Sequence, residues 1–294
     1  MDSVETTSEN GIDSEHTRDS DDDVDSLFDE AECDDGRDAA MDRILTMQDG
    51  SVSMGIASRI APAIPGLYFD PFILIPQDLA DCLWTEATRR YFTKPNVNQI
   101  MLFERASEHE SSADCSNIRL PPFLLELLDT LSNLLRPIVP EETHDLLFRP
   151  SANRRARQAI LNLYEPGEGI SPHVDLLKRF GDGIIGVSLQ GGCVMEFKRV
   201  EGGSTVFDRC GGGPGDQTGI SGADTQDLYL PARSVIIMTG EARYKWMHGI
   251  EKRTIDYVRR DGASGEFERL HRGKRLSITF RWLLPGAEVV GGDD

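Results

Sequence analysis

The sequence contains no run of about 18 apolar residues, so we expect no membrane-spanning helix. The opening residues MDSVETTSEN lack a basic segment followed by an apolar one, which argues against a secretory signal. CxxC pairs are also missing. The five cysteines, an odd number at irregular spacing, predict free thiols in a reducing compartment, the cytoplasm, the nucleus or both: Cys33, Cys82, Cys115, Cys193 and Cys210.

Basic residues are scarce at the N-terminus. Residues 1–50 contain 18 acidic and three basic side chains, a net charge of −15, whereas the other 244 residues contain 32 acidic and 28 basic ones, a net charge of −4. Such a stretch cannot bury enough apolar surface to offset its ordering entropy, so residues 1–55 are predicted to form a disordered acidic tail. Three roles remain open: a solubilising extension, a competitor for a basic site, or, through DSLFDEAE, a segment that binds a protein partner.

Apolar residues recur at helical spacing in two segments before residue 150. One runs from Gln77 to Tyr91, and the other, PPFLLELLDTLSNLLRPIV, begins with two prolines where a missing N–H costs little. The polar segment 106–117 has no apolar period and predicts a loop. We therefore expect residues 56–150 to form a helical or lid-like extension of the domain that follows.

Short β-branched and aromatic runs dominate after residue 150: QAILNLY, IIGVSLQ, CVMEFKR, SVIIMTG and LSITFRWLL. No helix-length pattern lies between them, which argues against alternating βαβ units. We predict an α+β fold in which residues 151–294 form a β-sandwich or jelly roll and the helices pack on it. The Gly-rich segment 202–226 is predicted to be a flexible insertion between strands.

A metal site is suggested by ISPHVDLLKRF, in which His173 and Asp175 are two positions apart. Alone this pair is a weak signal, and a surface turn is the alternative. In an extended segment the two side chains point to the same side, and His248, after an apolar strand, is available as a third ligand. Two histidines and one carboxylate form the facial triad of non-haem Fe(II) oxygenases. The other histidines are predicted to lie on the surface: His16, His109, His144 and His271.

Two arginines on the last predicted strand suggest an anion site. Arg275 and Arg281 are six positions apart in RLSITFR, so they face the same side of the strand. Two inward guanidinium groups are costly unless anions meet them, and a dicarboxylate would do so through bidentate contacts. The alternative is that Arg275 belongs to the exposed basic cluster RLHRGKR and Arg281 pairs with a structural acid.

Together these motifs resemble the AlkB-type iron- and 2-oxoglutarate-dependent dioxygenases over roughly residues 64–286. The likeness is most specific in NLYEPGEGISPHVD, RSVIIMTGEARYKWMHGI and RLSITFR, which occur in the family's order. The resemblance implies a double-stranded β-helix, or jelly-roll, core with N-terminal helices packed on it. It also implies three ligands to Fe(II): His173, Asp175 and His248.

The resemblance further implies a set of residues that bind 2-oxoglutarate. Asn162 and Tyr164 would hydrogen-bond this co-substrate. Arg275 would hold its distal carboxylate, with Ser277 nearby. Arg281 would serve the keto-acid end or brace the iron-binding aspartate.

The implied activity is oxidation of a substrate C–H bond, coupled to conversion of 2-oxoglutarate and O2 to succinate and carbon dioxide. The product is a hydroxylated carbon, or formaldehyde is lost when the carbon is an N-methyl group. The family's substrates are mainly alkylated or modified nucleic acid bases. The motifs are most similar to the branch that hydroxylates a side chain on the wobble uridine of tRNA, so RNA is favoured over DNA as the partner.

Other features bear on the substrate. Three basic clusters could bind phosphates: RPSANRRAR, KRTIDYVRR and RLHRGKR. The equally favoured alternative is that these clusters are ordinary solvent-exposed surface. Tyr244, Trp246 and Phe180 are candidates for stacking on an extruded base, and core packing is the alternative for Trp246. Leu177 stands where family members that repair methylated adenine and cytosine have an acidic side chain, which argues against that repair. Two other functions stay open: the same chemistry on a protein or small molecule, and an interaction protein acting through its acidic tail.

Overall fold

The structure is a computed structural model of the chain, and it describes residues 55–105, 119–149, 155–200, 225–260 and 266–287. The predicted acidic tail, the predicted loop 106–117 and nearly all of the predicted insertion 202–226 lie outside these ranges. The described strands are β1 (Leu67–Leu74), β2 (Gln99–Glu104), β3 (Arg157–Tyr164), β4 (Ile170–His173), β5 (Phe180–Gln190), β6 (Cys193–Arg199), β7 (Thr225–Leu230), β8 (Ser234–Met238), β9 (Trp246–Ile250), β10 (Ile255–Arg259), β11 (Phe267–His271) and β12 (Arg275–Leu283). The described helices are α1 (Gln77–Arg90), α2 (Pro122–Leu135), α3 (Glu141–Phe148) and α4 (Gly240–Tyr244).

Two antiparallel sheets form the predicted jelly-roll core. The larger sheet has six strands in the order β1-β8-β5-β12-β3-β2, and the smaller has four in the order β4-β9-β6-β7. Strands β10 and β11 form a separate two-stranded hairpin. Neighbours in the sheets are mostly distant in sequence, so residues from β3, β5 and β12 are brought side by side only by folding.

The five predicted strands all lay after residue 150 and correspond to β3, β5, β6, β8 and β12. Strands β4, β7, β9, β10 and β11 were missed in that region. Strands β1 and β2 lie before it and were missed as well. They occupy the two edges of the larger sheet, where β1 pairs with β8 and β2 with β3. The register of β1 is irregular between Phe69 and Leu74, around Pro71, which cannot donate to a ladder and is therefore confined to edges and bulges. The proline weakens the strand pattern of β1.

The helices pack on the larger sheet, as the α+β prediction required. The apolar face of α2 repeats every three or four residues, and its buried side chains join those of α1 and of β3, β5, β8 and β12 in one hydrophobic core. The bounds of α1 and α2 agree with the predicted helices, whereas α3 was not predicted. No helix in the described ranges is both long and apolar enough to cross a membrane.

One of the four histidines predicted to be on the surface is buried. His144 lies on α3, and its Nε2 is 2.8 Å from the carbonyl oxygen of Ser132 on α2. Its ring also packs on Phe148, with 4.9 Å between the ring centroids. The prediction for His144 was therefore wrong, because the missed helix α3 turns this residue toward α2. His271 is exposed as predicted, and His16 and His109 lie outside the described residues.

Candidate active site

The two histidines of the predicted triad lie opposite each other on paired strands of the smaller sheet. His173 ends β4 and His248 is in the middle of β9, and the two residues are direct partners in the antiparallel register. Their ring centroids are 4.4 Å apart with an angle of 50° between the planes. His173 Nδ1 lies 2.9 Å from the carbonyl oxygen of Ser171, and a ring that donates from Nδ1 carries its lone pair on Nε2.

Gly249 allows β4 to approach β9 at this point. A Cβ at this position would lie 2.8 Å from the backbone nitrogen of Pro172 and 2.9 Å from its Cα, closer than real Cβ atoms come. The glycine directly follows His248, and the proline directly precedes His173. The absence of a side chain at residue 249 is therefore a condition for the close pairing of the two imidazoles.

Asp175 completes the triad from the connection between β4 and β5. One ligand atom from each of His173, Asp175 and His248 lies within 4.8 Å of the others, and Oδ2 of the aspartate is 3.7 Å from Nε2 of His248. The aspartate is buried, and its Oδ1 accepts a hydrogen bond from Nη1 of Arg281. The arginine therefore orients the carboxylate and neutralises it, while Oδ2 remains turned toward the histidine.

The residues predicted to bind a dicarboxylate share one face of the larger sheet. Arg275 is the register partner of Tyr164, and Ser277 is that of Asn162, so all four side chains project to the same side of β3 and β12. Arg281 lies on the same side further along β12 and pairs in register with Gln158. Six residues of extended strand separate the two arginine Cα atoms by about 20 Å. These polar side chains on one face of β3 and β12, which we call the β3–β12 stripe, thus extend from Arg281 next to the triad to Arg275 at the other end.

Arg275 has the environment of an anion-binding residue rather than of an exposed basic cluster. It is only 5% exposed, and its Nε and Nη2 both donate to the single Oγ of Ser188, at 3.2 and 2.9 Å. The Tyr164 ring lies 5.2 Å from its guanidinium carbon. Nη1 is buried without a hydrogen-bond partner, and no ion pair between described residues includes Arg275. A buried guanidinium with a vacant donor fits an anionic ligand.

The electrostatics of the triad favour neutral imidazole and so suit metal coordination. Burial, with smaller effects from His173 and Arg243, lowers the pKa of His248 well below its usual value. Metal ions bind imidazole in its neutral form. At the other end of the stripe, burial raises the pKa of Tyr164 against the opposing charge of Arg275, which keeps the phenol protonated and able to donate. The His, Asp and His donor set matches the facial triad of Fe(II) oxygenases.

Comparison with known families agrees with this geometry. A family model described as "2OG-Fe(II) oxygenase superfamily" matches residues 75–281, more than half of the chain and the whole of the site. The chain belongs to the 2OG-Fe(II) oxygenase superfamily. Membership implies Fe(II) as the cofactor and 2-oxoglutarate and O2 as co-substrates, and His173, Asp175 and His248 form a possible site for the metal.

Curated relatives confirm the AlkB-type assignment of the oxygenase. An "Alkylated DNA repair protein ALKBH8 homolog" of Arabidopsis thaliana is 31% identical over 67% of this chain and 54% of that protein. A "tRNA (carboxymethyluridine(34)-5-O)-methyltransferase alkbh8" of Xenopus tropicalis is 38% identical over 42% of this chain and 18% of that protein. An "N6-methyladenosine RNA demethylase ALKBH" of Cryphonectria parasitica is 28% identical over 50% of this chain and 66% of that protein. The oxygenase thus spans about half of the first relative and a fifth of the second.

Burial excludes two of the three side chains that were predicted to stack on a base. Phe180 is 1% exposed and lies under the Arg281 guanidinium, 4.0 Å from ring centroid to guanidinium carbon, and Trp246 is 8% exposed. Both residues therefore belong to the core. For Trp246 this agrees with the alternative interpretation, core packing, whereas for Phe180 the predicted stacking role was wrong. Tyr244 is 38% exposed and remains available to a ligand.

The basic clusters are largely occupied by internal contacts. Arg157 pairs with Glu104, while Arg253 and Arg272 both pair with Asp256. Further pairs join Arg149 to Asp145, Arg260 to Glu266 and Lys274 to Glu165. Among described residues of these clusters, the exposed arginines without an ion pair are Arg259 and Arg269.

Three site residues were missed by the sequence analysis: Gln158, Ser188 and Arg243. Gln158 accepts a hydrogen bond from Nε of Arg281 at 2.9 Å, and its even spacing from Asn162 along one strand was a signal for it. The role of Ser188 arises from the register of β5 against β12, which sequence spacing does not encode. Arg243 lies in helix α4, which was not predicted either.

Proposed function

We propose that this oxygenase oxidises a modified base in RNA, with a side chain on a tRNA uridine as the first substrate to test. The observation that carries the proposal is the convergence of the His173, Asp175 and His248 ligand atoms within 4.8 Å, together with a buried Arg275 that has no carboxylate partner among the described residues. The names of two relatives, a tRNA-modifying enzyme and an RNA demethylase, support RNA as the substrate class. Such a substrate implies the cytoplasm or nucleus as the compartment.

In this proposal the triad residues hold Fe(II), and the β3–β12 stripe holds 2-oxoglutarate. Bound together, these two groups supply oxidative decarboxylation coupled to C–H oxidation. Arg275 grips the distal carboxylate with the donor atom left vacant in the fold, and Ser188 fixes the guanidinium for that contact. Asn162 and Tyr164 offer an amide and a protonated phenol along the path between the arginine and the triad.

The remaining residues of the site orient the ligands and exclude water. Arg281 donates to Asp175 and is itself held by Gln158, which fixes the carboxylate before a metal binds. The arginine is covered on one side by the Phe180 ring, so the pair is shielded from solvent. Such a preorganised arrangement holds the ligands in place before a substrate binds.

The substrate side of the site suits a base without an exocyclic amine. Tyr244 and Leu176 are both exposed, and both contact Arg243: the Tyr244 ring lies 5.0 Å from its guanidinium carbon, and the carbonyl oxygen of Leu176 lies 3.4 Å from its Nη2. An aromatic ring and an aliphatic side chain can cover the face of a base. Leu177 provides no acceptor for an amine, which favours a uridine derivative over methylated adenine or cytosine.

The hairpin face that bears Arg259 and Arg269 is the proposed contact for phosphates. In the β10–β11 register Arg259 is opposite Phe267, and Arg269 is opposite Tyr257, so the two arginines share one face. Both are exposed, and Phe267 is half-exposed between them. Guanidinium groups that have no ion pair with a described residue and lie beside an aromatic ring suit a single-stranded polyanion.

The test is 2-oxoglutarate turnover with defined RNA substrates. Succinate production should require Fe(II) and increase with tRNA bearing an oxidisable uridine side chain, relative to the same transcript without it. His173→Ala should abolish turnover, whereas a double change of Arg259→Glu and Arg269→Glu should raise the KM for tRNA and flatten its salt dependence. Stimulation by a peptide or small metabolite but by no RNA would overturn the substrate assignment.

A further inference from the structure

A buried arginine contacts the backbone of the segment that carries the metal-binding aspartate. Arg243 is 2% exposed, and its Nη1 donates to the carbonyl oxygen of Asp175 at 3.0 Å. Its Nη2 lies 3.4 Å from the carbonyl oxygen of Leu176 and 3.3 Å from that of Phe180. One guanidinium therefore holds three carbonyl groups across the connection between β4 and β5.

The arginine itself is fixed from the other side. It lies in α4, five residues before His248, and the amide of Ala242 in that helix donates to the carbonyl oxygen of Pro65 at 2.9 Å. The amide of Gly240 donates to Oδ1 of Asp182 at 2.9 Å, which ties the start of α4 to β5. The helix thus stands between two of the three segments from which the triad is built.

Packing alone does not explain a guanidinium at this position. Burying an arginine costs free energy, and an apolar side chain of similar size would fill the same space at less cost. Among the described ion pairs Arg243 has no carboxylate partner, so its charge is not used to stabilise a salt bridge. Its Nη1 and Nη2 groups are directed at carbonyls instead. The Leu176 side chain is 47% exposed, so at this residue the chain is held by its carbonyl contact rather than by side-chain packing.

We propose that Arg243 is a positioning residue that sets the place of Asp175 relative to His248. By holding the carbonyl of Asp175, it fixes the backbone from which the carboxylate extends, while Arg281 fixes the carboxylate itself. The two arginines act on different atoms of one residue. The inference rests on the proposed iron site, because it assigns Arg243 to the preorganisation of that site.

The test compares metal binding in Arg243→Met and Arg243→Lys with that in a matched control, Arg157→Met. Arg157 is also buried, but it pairs with Glu104 on the edge of the larger sheet and contacts no triad residue. Three readouts are needed for each protein: the melting temperature without metal, the anaerobic affinity for Fe(II), and the visible charge-transfer band with Fe(II) and 2-oxoglutarate.

Loss of a group that orients a metal ligand typically weakens metal binding by about 10- to 100-fold. We expect a loss in that range for Arg243→Met, with a shifted or weakened band, and a smaller loss for Arg243→Lys, which retains a donor. Arg157→Met should lower the melting temperature while binding Fe(II) with wild-type affinity.

Wild-type Fe(II) affinity and an unchanged band in Arg243→Met would overturn the positioning role and leave the proposed function intact. If Arg243→Met does not fold, the lysine variant decides: wild-type metal binding and an unchanged band in Arg243→Lys overturn the role, and a measurable loss supports it. A wild-type protein that binds no Fe(II) would instead overturn the proposed function itself.

Discussion

Replacing Arg275 by Met should remove the stabilisation of the protein by 2-oxoglutarate without destabilising the free protein. In the free protein the Arg275 guanidinium is buried and donates hydrogen bonds to Ser188. Among the described residues it has no other hydrogen-bond acceptor and no carboxylate partner. Replacing an uncompensated buried charge by an apolar side chain of similar volume is often neutral or stabilising. The melting temperature without ligand should therefore stay the same or rise.

The effect on ligand binding should be large. Each hydrogen bond to a charged group contributes about 1.5–3 kcal/mol, so loss of the guanidinium should cost about 3 kcal/mol, roughly 100-fold in the dissociation constant of 2-oxoglutarate. At a ligand concentration about 100 times the wild-type dissociation constant, binding stabilises the wild-type protein by about 2.7 kcal/mol and the variant by about 0.4 kcal/mol. For a chain of this size these values correspond to shifts of about 5–10 °C and about 1 °C.

The assay is thermal unfolding with Mn(II) in place of Fe(II), with and without 2-oxoglutarate. Ser188→Ala is the matched control, because it removes the partner of the guanidinium but keeps its charge, and an intermediate shift is expected. A full wild-type shift in Arg275→Met would refute the reasoning, since it would mean that the dicarboxylate is held elsewhere.

Three further outcomes follow from other contacts. Arg281→Met leaves Asp175 buried without its charged partner, so the free energy of unfolding should fall by about 3 kcal/mol, measurable by chemical denaturation. Gly249→Ala forces β9 away from Pro172, so it should weaken Fe(II) binding at least about 10-fold by anaerobic titration. Burial and nearby Glu196 raise the pKa of Asp227 to about 6, so Asp227→Asn should stabilise the protein at pH 7 by about 1–2 kcal/mol and have no such effect at pH 4.

The sign for Asp227 follows from proton linkage. A raised pKa in the folded state means that the folded protein binds the proton more tightly than the unfolded chain. This contribution to stability is fully present below pH 3.8 and is lost as the pH rises through about 6. A stabilising effect of Asp227→Asn that is equal at pH 4 and pH 7 would contradict this account. For Gly249→Ala, wild-type metal affinity would contradict the argument that β4 and β9 approach closely at this residue. For Arg281→Met, unchanged stability would contradict the argument that the buried Asp175 needs its charged partner.

The sequence by itself predicted which side chains form the candidate metal site and the candidate anion site. The pairs His173 and Asp175, and Arg275 and Arg281, were predicted from strand periodicity, which assigns side chains to faces without reference to the rest of the fold. His248 was predicted as the histidine that follows an apolar strand and matches the family's motif order. Helices α1 and α2 were likewise predicted from periodicity, since their apolar faces repeat over several turns.

Only the tertiary structure showed which other residues hold those side chains in place. Ser188 reaches Arg275, and Arg243 reaches Asp175, through strand order and helix placement, and neither is encoded by local spacing. Strands β1 and β2, the helix α3 and the burial of His144 depend likewise on pairing with distant segments. Periodicity records which face of an element is buried, whereas register and packing depend on the chain as a whole.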